Sequence, residues 1–574
     1  MNFKAIIYDN DKSNPGWILF ENPTQIIIAY SVEEIINSFS EVELLTKNGY
    51  FAVGYISFEA SSGFDAVLNV KKSRYPLMMF GIYKDYQSVS LPAVNNFTLP
   101  QLISTVTKAE YENKIHQIKE YIAAGDTYQV NYTYKLNGSF VGEPIDLFSY
   151  LYNAQPSIYS VFLQCDDFAI VSVSPELFFE KEGNKIHCKP MKGTAPRKCI
   201  YEIDIQMAQW LQQSDKNRAE NLMIVDMVRN DLGKIAEIGS IKTELFKVEK
   251  YPSVWQMISD VSAITDASLV EIFSALFPSA SITGAPKVRT MEIINELEEE
   301  SREIYTGSIG MIKPGCNAVF NVAIRTSLIN LKNRTIEYGV GGGITWDSSS
   351  DDEYEETLHK SLVITADSKE FSLFETMLWR KTEIFLKEYH LKRLANSADY
   401  FGFIFNESDL EEKLTKLAIT EDKSIIRVEL NKNGEFKIEI KKYLIRKPEN
   451  WRVKISELSI NSRNRILYHK TTYRDIYENA RKKYSEFDDI IFVNELGEVT
   501  ESTIANIVIE KDGKLFTPFI DCGLLNGTFR QYLLDQKQIV ESVITVNELM
   551  KADKVFLINS VREWIPVDVE PADS

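Results

Sequence analysis

Three kinds of segment in this sequence could do chemistry. The first is paired acid: Glu220 lies in the helix-like run from Asp215 to Asp231, and Glu353 and Glu356 stand i, i+3 on one face of a second acidic helix. Carboxylates from two helices facing one pocket make a hard oxygen site of the kind Mg²⁺ takes, with positions open for an anionic substrate. Two solvated acidic faces would read the same way, and spacing leaves both open. The second is Lys192 in Pro190-Met191-Lys192-Gly193-Thr194, a segment too short and irregular to be an ordinary charged helix face. Desolvated, that lysine could serve as nucleophile or base; solvated, it is a surface group. The third is glycine. Gly339-Val340-Gly341-Gly342-Gly343-Ile344 follows directly on a strand pattern, where missing side chains let a ligand approach the backbone. Ser281 through Lys287 sets hydroxyls, Thr283 among them, before Pro286, read as the first residue of a helix running to Glu300 whose N-terminus could hold an anion.

The elements that must position these groups read as mixed α and β without a tandem repeat. Tyr111, Ile115, Ile118 and Ile122 recur at helical spacing before Gly125-Asp126 stops the helix, and Leu222, Met223, Ile224 and Val225 give the Glu220 helix an apolar face. Strands are expected over 318–329 and 331–340, joined by a tight polar turn. After a helical run from Asp352 to Leu362, the polar stretch Ala366-Asp367-Ser368-Lys369-Glu370 precedes a new apolar start at Phe371, which divides the chain into residues 1–366 and 371–574. A length of 574 residues allows roughly two to four domains, and hydrophobic and charged contents of 44% and 25% exclude wholesale disorder. The net charge of −18 would repel nucleic acid and anionic lipid, so an anionic ligand must be captured by local cations, helix N-termini or a metal. The start lacks a signal-like apolar region, no apolar run approaches a membrane span, and the five scattered cysteines lack metal-ligand spacing. A cytoplasmic protein with reduced thiols and no zinc site is expected.

Taken in order, Gly125-Asp126-Thr127-Tyr128-Gln129-Val130-Asn131, Ser174-Pro175-Glu176, Lys192-Gly193-Thr194, Glu220 through Asp231, Ser281 through Lys287, Tyr305-Thr306-Gly307, Asn321 through Thr326 and the glycine run resemble the chorismate-utilising enzymes. That family includes anthranilate, isochorismate and salicylate synthases and aminodeoxychorismate synthase component I. The resemblance covers most of residues 50–362 and implies a large β-sandwich with surrounding helices. It also discriminates. Anthranilate synthases carry alanine before the Gly-Thr pair and aminodeoxychorismate synthases carry lysine, here Lys192; anthranilate synthases have a histidine tied to pyruvate elimination where this chain has Gln256.

The resemblance implies that Lys192 attacks C2 of chorismate while the C4 hydroxyl departs with a proton from Glu176, after which ammonia adds at C4 and expels the lysine. A covalent intermediate replaces one hard substitution by two easier ones, and a poor leaving group needs that proton. It further implies that Glu220 and Glu356, with Glu353 close by, hold Mg²⁺ against the ring carboxylate. Tyr305, Arg325 and the backbone of Gly341, Gly342 and Gly343 would hold the enolpyruvyl carboxylate, with Gly193, Thr194 and Thr283 also lining the substrate. No glutamine-hydrolysing domain is recognised, so ammonia is expected from a separate amidotransferase or from solution. The segment Gly54 to Ala60 resembles the family's β-rich entry, where relatives bind tryptophan.

A second ordered set lies beyond residue 371: Phe374-Glu375-Thr376, Tyr389 through Leu394, Tyr468-His469-Lys470-Thr471-Thr472, Glu501 through Asn506, Gly523 through Arg530 and Asn559-Ser560-Val561-Arg562. Read alone, Leu391 and Leu394 are core residues, Arg393 is a helix charge, and His390 and His469 position their neighbours. Together the segments resemble fold-type IV pyridoxal-phosphate enzymes, the branched-chain aminotransferase and aminodeoxychorismate lyase family, and imply an α/β domain of that type, trimmed of the strands and Gly-rich turn that usually precede Phe-Glu-Thr. In that likeness Lys470 forms the Schiff base and shuttles the proton, Glu501 pairs with the pyridinium nitrogen, and Arg393, the N–H groups of Thr528 and Phe529, and Ser560 hold the phosphate. Relatives usually dimerise.

The two implied reactions are consecutive. A transferase that aminates chorismate and a lyase that removes pyruvate from the product would together make 4-aminobenzoate, a folate precursor. Two alternatives stand beside this reading: an anthranilate or isochorismate synthase fused to an aminotransferase, opposed by Lys192 and Gln256, and a non-catalytic scaffold for an amidotransferase.

Overall fold

Strand alternation sets the first layer of packing. Along the strand Phe3–Asp9, the side chains of Phe3, Ala5 and Ile7 join one apolar cluster and Ile6 joins another, as a period of two requires of a strand buried on both faces. Val53 and Tyr55 in Phe51–Ile56, with Ile309 and Met311 in Ser308–Lys313, meet Phe3 and its neighbours, whereas Ala52 and Ile56 face the helical side with Phe39 and Phe273. The computed structural model describes residues 2–11, 15–95, 97–361, 370–444 and 450–572. It folds as two units, one formed by Met1–Pro196 and Ala208–Ser368 and the other by Arg197–Met207 and Lys369–Ser574. Most of the polar stretch 366–370 lies outside the described residues.

The first unit is a sandwich of two antiparallel sheets flanked by helices. One sheet carries Gly284–Ala285 at an edge, then Gln129–Ser139, the glycine-bearing strand Thr335–Ile344 and Thr326–Asn330. The other begins with the edge strand Met191–Pro196, paired to Val254–Ile264, and continues through Lys185–Cys188, Leu177–Glu182 and Asn317–Val322. The strand expected over 318–329 is therefore two strands in different sheets. The chain turns between them at Ala323–Arg325, where Arg325 takes φ +51°, a conformation that hydrophobic patterning does not encode. The polar turn falls later, between Thr326–Asn330 and Thr335–Ile344.

The helices carry the acids. Asp215–Leu232 is capped by Ser214, whose side chain accepts from Asn217 N. Its buried face is Ile224, Val225, Val228 and Leu232, while Leu222 is exposed and not part of the apolar face expected of it. Pro286 is the N-cap of Lys287–Leu297 and not its first helical residue. The acidic helix spans Ser350–Ser361.

In the second unit, Leu373–Arg380 is central in a four-stranded antiparallel sheet, covered by the helices Lys387–Phe401 and Glu407–Thr415 through Leu373, Met377, Leu391, Leu394 and Leu410. An eight-stranded mixed sheet, with parallel pairs at Trp451–Ile460, is bent so that Val499–Ser502 also meets Asn506–Lys511 at Glu501 and Asn506. Among the described residues no helix is long and apolar enough to cross a membrane.

Two candidate active sites

Lys192 sits where a sheet edge breaks register. Between Met191 and Thr194 the pairing with Val254–Ile264 shifts, and Gly193 takes φ +99°, so Lys192 and Gly193 form an irregular step that re-aims the lysine side chain. The step is held on both sides. Asn221 Nδ2 donates to Lys192 O at 3.1 Å, Gln256 Nε2 donates to Gly193 O at 2.9 Å, and Thr194 Oγ1 donates to Gln256 Oε1 at 3.0 Å. Gln256 is thus the clamp on the lysine-bearing segment. Lys192 Nζ lies 3.6 Å from Glu220 Oε2. It also lies against the glycine strand: a Cβ on Gly343 would sit 2.6 Å from Lys192 Nζ and 2.9 Å from Gln129 Nε2. Glycine leaves room there for the ends of two side chains against the backbone.

The acidic helix meets the same strand. Glu353 accepts from Ser348 Oγ at 2.7 Å and is pushed up by burial, against that hydrogen bond. Glu356 pairs with Lys360 Nζ at 2.8 Å and is held low, chiefly by that ammonium. Lys360 Nζ also donates to Gly341 O at 2.9 Å. Glu220, Glu353 and Glu356 are therefore gathered around two lysines, although among the described residues no three acidic or thiol or imidazole groups converge tightly enough to form a metal cluster. Lys360 was not singled out from the sequence; its place four residues after Glu356, on the same helical face, was the available signal.

Glu176 lies at the start of Leu177–Glu182, 3% exposed, and accepts from Ser281 Oγ at 2.6 Å. Burial pushes its carboxyl up to about 7, with the Ser281 bond pulling the other way. A carboxyl half protonated near neutrality is suited to donate a proton. Thr283 is fully buried, and its hydroxyl donates to Ser279 O at 3.1 Å. Arg325, at the sheet-to-sheet turn, donates through Nη1 to Lys360 O, and the half-buried Tyr305 lies near enough to feel its charge. Gln129 is a residue that sequence reasoning quoted within a motif but gave no role. Fully buried, both its amide atoms lack a partner among the described residues, an arrangement that costs free energy unless a ligand completes it.

The second site gathers at the start of the helix Thr528–Asp535. Its first-turn N–H groups at Thr528 and Phe529 have no intrahelical acceptor, and Gly527 caps it because a Cβ would sit 2.0 Å from Asn506 Oδ1. Arg393 reaches this loop, donating through Nη1 to Asn526 O at 3.1 Å. Glu501 is buried and accepts from Tyr477 Oη at 2.7 Å and Leu525 N at 3.2 Å; burial nonetheless raises its carboxyl to about 7. Lys470 lies 4.8 Å from the Phe374 ring centroid, and burial, then Arg393, bring its ammonium down to about 7. Ser560 is buried at the end of Lys554–Asn559. His469 is buried against Tyr400, Phe401 and Ser397, and burial drives it down to about 3, so it packs as a neutral ring beside Lys470. An amine, a buried acid and an anion cradle occupy one unit, a donor set that fits a phosphorylated aldehyde cofactor.

Comparison with known proteins assigns each unit a family likeness. The family model described as chorismate binding enzyme matches residues 4–366, and that described as amino-transferase class IV matches residues 372–569. Aminodeoxychorismate synthase component 1 of Salmonella typhimurium is 42% identical over 260 residues, 45% of this chain and 57% of that protein. Anthranilate synthase component 1 of Aquifex aeolicus is 38% identical over 261 residues, 45% of this chain and 52% of that protein. The chain thus spans little more than half the length of these relatives. The crystal structure of anthranilate synthase component I from Streptococcus pneumoniae shares the fold, with TM-score 0.52 and 22% identity over 64% of this chain and 92% of that one.

Proposed function

Because the chain belongs to the chorismate binding enzyme family, we propose that its first unit aminates chorismate to 4-amino-4-deoxychorismate and that its second removes pyruvate from that product to give 4-aminobenzoate. Overall identity does not separate aminodeoxychorismate from anthranilate synthases, since relatives of both names match at 42% and 38%. The observation that carries the reading is Lys192, aimed by an irregular strand edge at the glycine strand and clamped by Gln256. A nucleophile is what an amination without direct displacement needs, and the histidine associated with anthranilate formation is replaced by the clamp.

In this reading Lys192 Nζ bonds to C2 of chorismate as the ring double bonds shift and the C4 hydroxyl leaves as water with the proton of Glu176. Ammonia then bonds to C4 and the lysine leaves C2. Glu176 suits its part because burial keeps it protonated to about pH 7. Arg325 and Tyr305, together with the backbone of Gly341, Gly342 and Gly343, would receive the enolpyruvyl carboxylate. Glu220, Glu353 and Glu356 are carboxylate oxygens, the donor chemistry of Mg²⁺, which would neutralise the ring carboxylate. In the second unit Lys470, Glu501, Arg393, Thr528, Phe529 and Ser560 would hold pyridoxal phosphate, which supplies an electron sink for breaking the bond to the pyruvyl group. Lys470, near 7, can both accept and return a proton at neutral pH.

The name of these relatives, component 1, supports a separate amidotransferase as the ammonia source. Purified protein supplied with chorismate, ammonium, Mg²⁺ and pyridoxal phosphate should yield 4-aminobenzoate and pyruvate. Formation of neither would refute the reading, and anthranilate would select a different synthase. Lys192→Ala should abolish amination while leaving the second unit active on supplied 4-amino-4-deoxychorismate.

A further inference from the structure

Glu375 has no assigned part in either reaction, yet it is tied to the second site at two points. It stands in Leu373–Arg380 with 1% of its side chain exposed. Oε1 accepts from Arg393 Nε at 2.8 Å, Oε2 accepts from Arg393 Nη2 at 2.6 Å, and Oε2 lies 2.7 Å from His390 Nδ1. On its other side the fully buried His390 ring places Nε2 3.3 Å from Thr528 Oγ1.

The direction of every hydrogen in this chain can be assigned. Burial would raise the Glu375 carboxyl, but Arg393 and then His390 outweigh it and hold the group at about 2. An ionised carboxylate only accepts, so His390 Nδ1 carries the hydrogen. The groups around His390 are Glu375, Arg393 and Lys470; burial, with the two cations, outweighs the carboxylate and keeps the ring neutral. Nε2 is then a bare acceptor, and the Thr528 hydroxyl donates to it. Arg393 uses its Nε hydrogen and one Nη2 hydrogen on Glu375 and one Nη1 hydrogen on Asn526 O, leaving one N–H on each Nη for a ligand.

We propose that Glu375 is the positioning residue of the phosphate cradle, orienting Arg393 directly and the first residue of the helix Thr528–Asp535 through His390. The inference rests on the pyridoxal-phosphate reading of this unit. A bidentate carboxylate prevents the guanidinium from turning, and the imidazole ties the helix start to the same anchor. The cation and the N–H groups that meet a phosphate thereby share one reference point. Recognition of the phosphate depends on Glu375; recognition of the ring, at Glu501 and Tyr477, is served by a different carboxylate.

The test compares two ligands without an aldehyde, pyridoxine 5′-phosphate and pyridoxine, by calorimetry on the full apo chain. Wild type should prefer the phosphorylated ligand. Glu375→Gln should lower that preference by about 10- to 100-fold, the range expected for losing hydrogen bonds to a charged group, by weakening the phosphate ester and leaving pyridoxine unchanged. A residue that only stabilised the unit would weaken both ligands together, and that result overturns the proposal. So does a preference that survives Glu375→Gln intact. Absence of any preference in wild type would overturn the cofactor reading and the proposal with it. If Glu375→Gln does not fold, His390→Asn and Thr528→Val approach the chain from its far end; each should lose part of the preference, and retention of all of it by both refutes the anchor.

Discussion

Glu176 sets a conflict between stability and chemistry that can be measured. Its carboxyl is raised from 4.5 to about 7, chiefly by burial. At about 1.4 kcal/mol for each step of one in pKa, the difference of about 2.5 means that the ionised side chain costs the fold roughly 3 kcal/mol. Between pH 4.5 and 7 the folded chain keeps a proton that the unfolded chain has released. Stability from this group is therefore full below 4.5, falls as pH rises through that window, and is level above 7. Glu176→Gln keeps the size and the bond from Ser281 and has no proton to lose. Urea unfolding across pH should show the variant gaining on wild type by about 3 kcal/mol between pH 4.5 and 8, in the transition that belongs to the first unit, while amination falls by a general-acid factor of about 10² to 10⁴. Ser281→Ala isolates the remaining contribution. Loss of a 2.6 Å bond to the ionised form should raise Glu176 further, by about one to two pKa steps for a bond worth about 1.5 to 3 kcal/mol, and move the falling limb of the pH profile upward at constant free ammonia. Parallel stability curves for wild type and Glu176→Gln, or a limb that stays in place in Ser281→Ala, would refute the account.

Gly343→Ala should fold, because its Cβ meets the far ends of Lys192 and Gln129 and not backbone, but should cut amination by at least about tenfold by displacing Lys192; steady-state kinetics with chorismate and ammonium check this. Gln256→Leu removes both bonds that clamp Gly193 and Thr194 and should lower amination while the lyase reaction on supplied 4-amino-4-deoxychorismate is unchanged. Arg197 belongs to the second unit, in a buried ion pair with Asp204 at 2.6 Å and over the Tyr400 ring at 4.3 Å; Arg197→Ala should destabilise that unit by about 3 to 5 kcal/mol, read by calorimetry as a lowered transition.

How much of this was legible beforehand differs between residues for physical reasons. Helices announced themselves by period: Tyr111, Ile115 and Ile118 are buried on Lys108–Ala123 as their spacing requires. The acids and Lys192 were visible as residue types, and the ordered motifs, through a family resemblance, are what proposes a shared site for them. The turn at Arg325 was not visible, because Ala318 to Ile329 contains no Gly or Pro to mark a break and the change of sheet depends on what each half pairs with. Leu222 was misplaced because four successive apolar residues cannot all face one side of a helix. Lys360 and Glu375 carry no role in the sequence reading, since ion pairing to a specific partner leaves no periodic trace; Gln129 is indistinguishable from a core polar residue until its partners are counted.

The candidate groups of the first unit stand where its strands are irregular. Lys192 lies in a register shift, Glu176 directly precedes another between Leu177 and Phe179, and Arg325 occupies a left-handed turn between sheets. A regular ladder commits its side chains to alternate faces and its backbone to neighbouring strands, so it cannot aim several functional groups from two sheets at one small ligand. In the proposed reading, breaking the ladder at three places does. The second unit would reach the same end by another route: the proposed anion cradle is a regular helix start, and in place of an irregularity a buried carboxylate pairs with the cation beside it. In a chain with net charge −18, both devices would, in the proposed reading, make binding of an anion depend on a few oriented groups more than on the overall field.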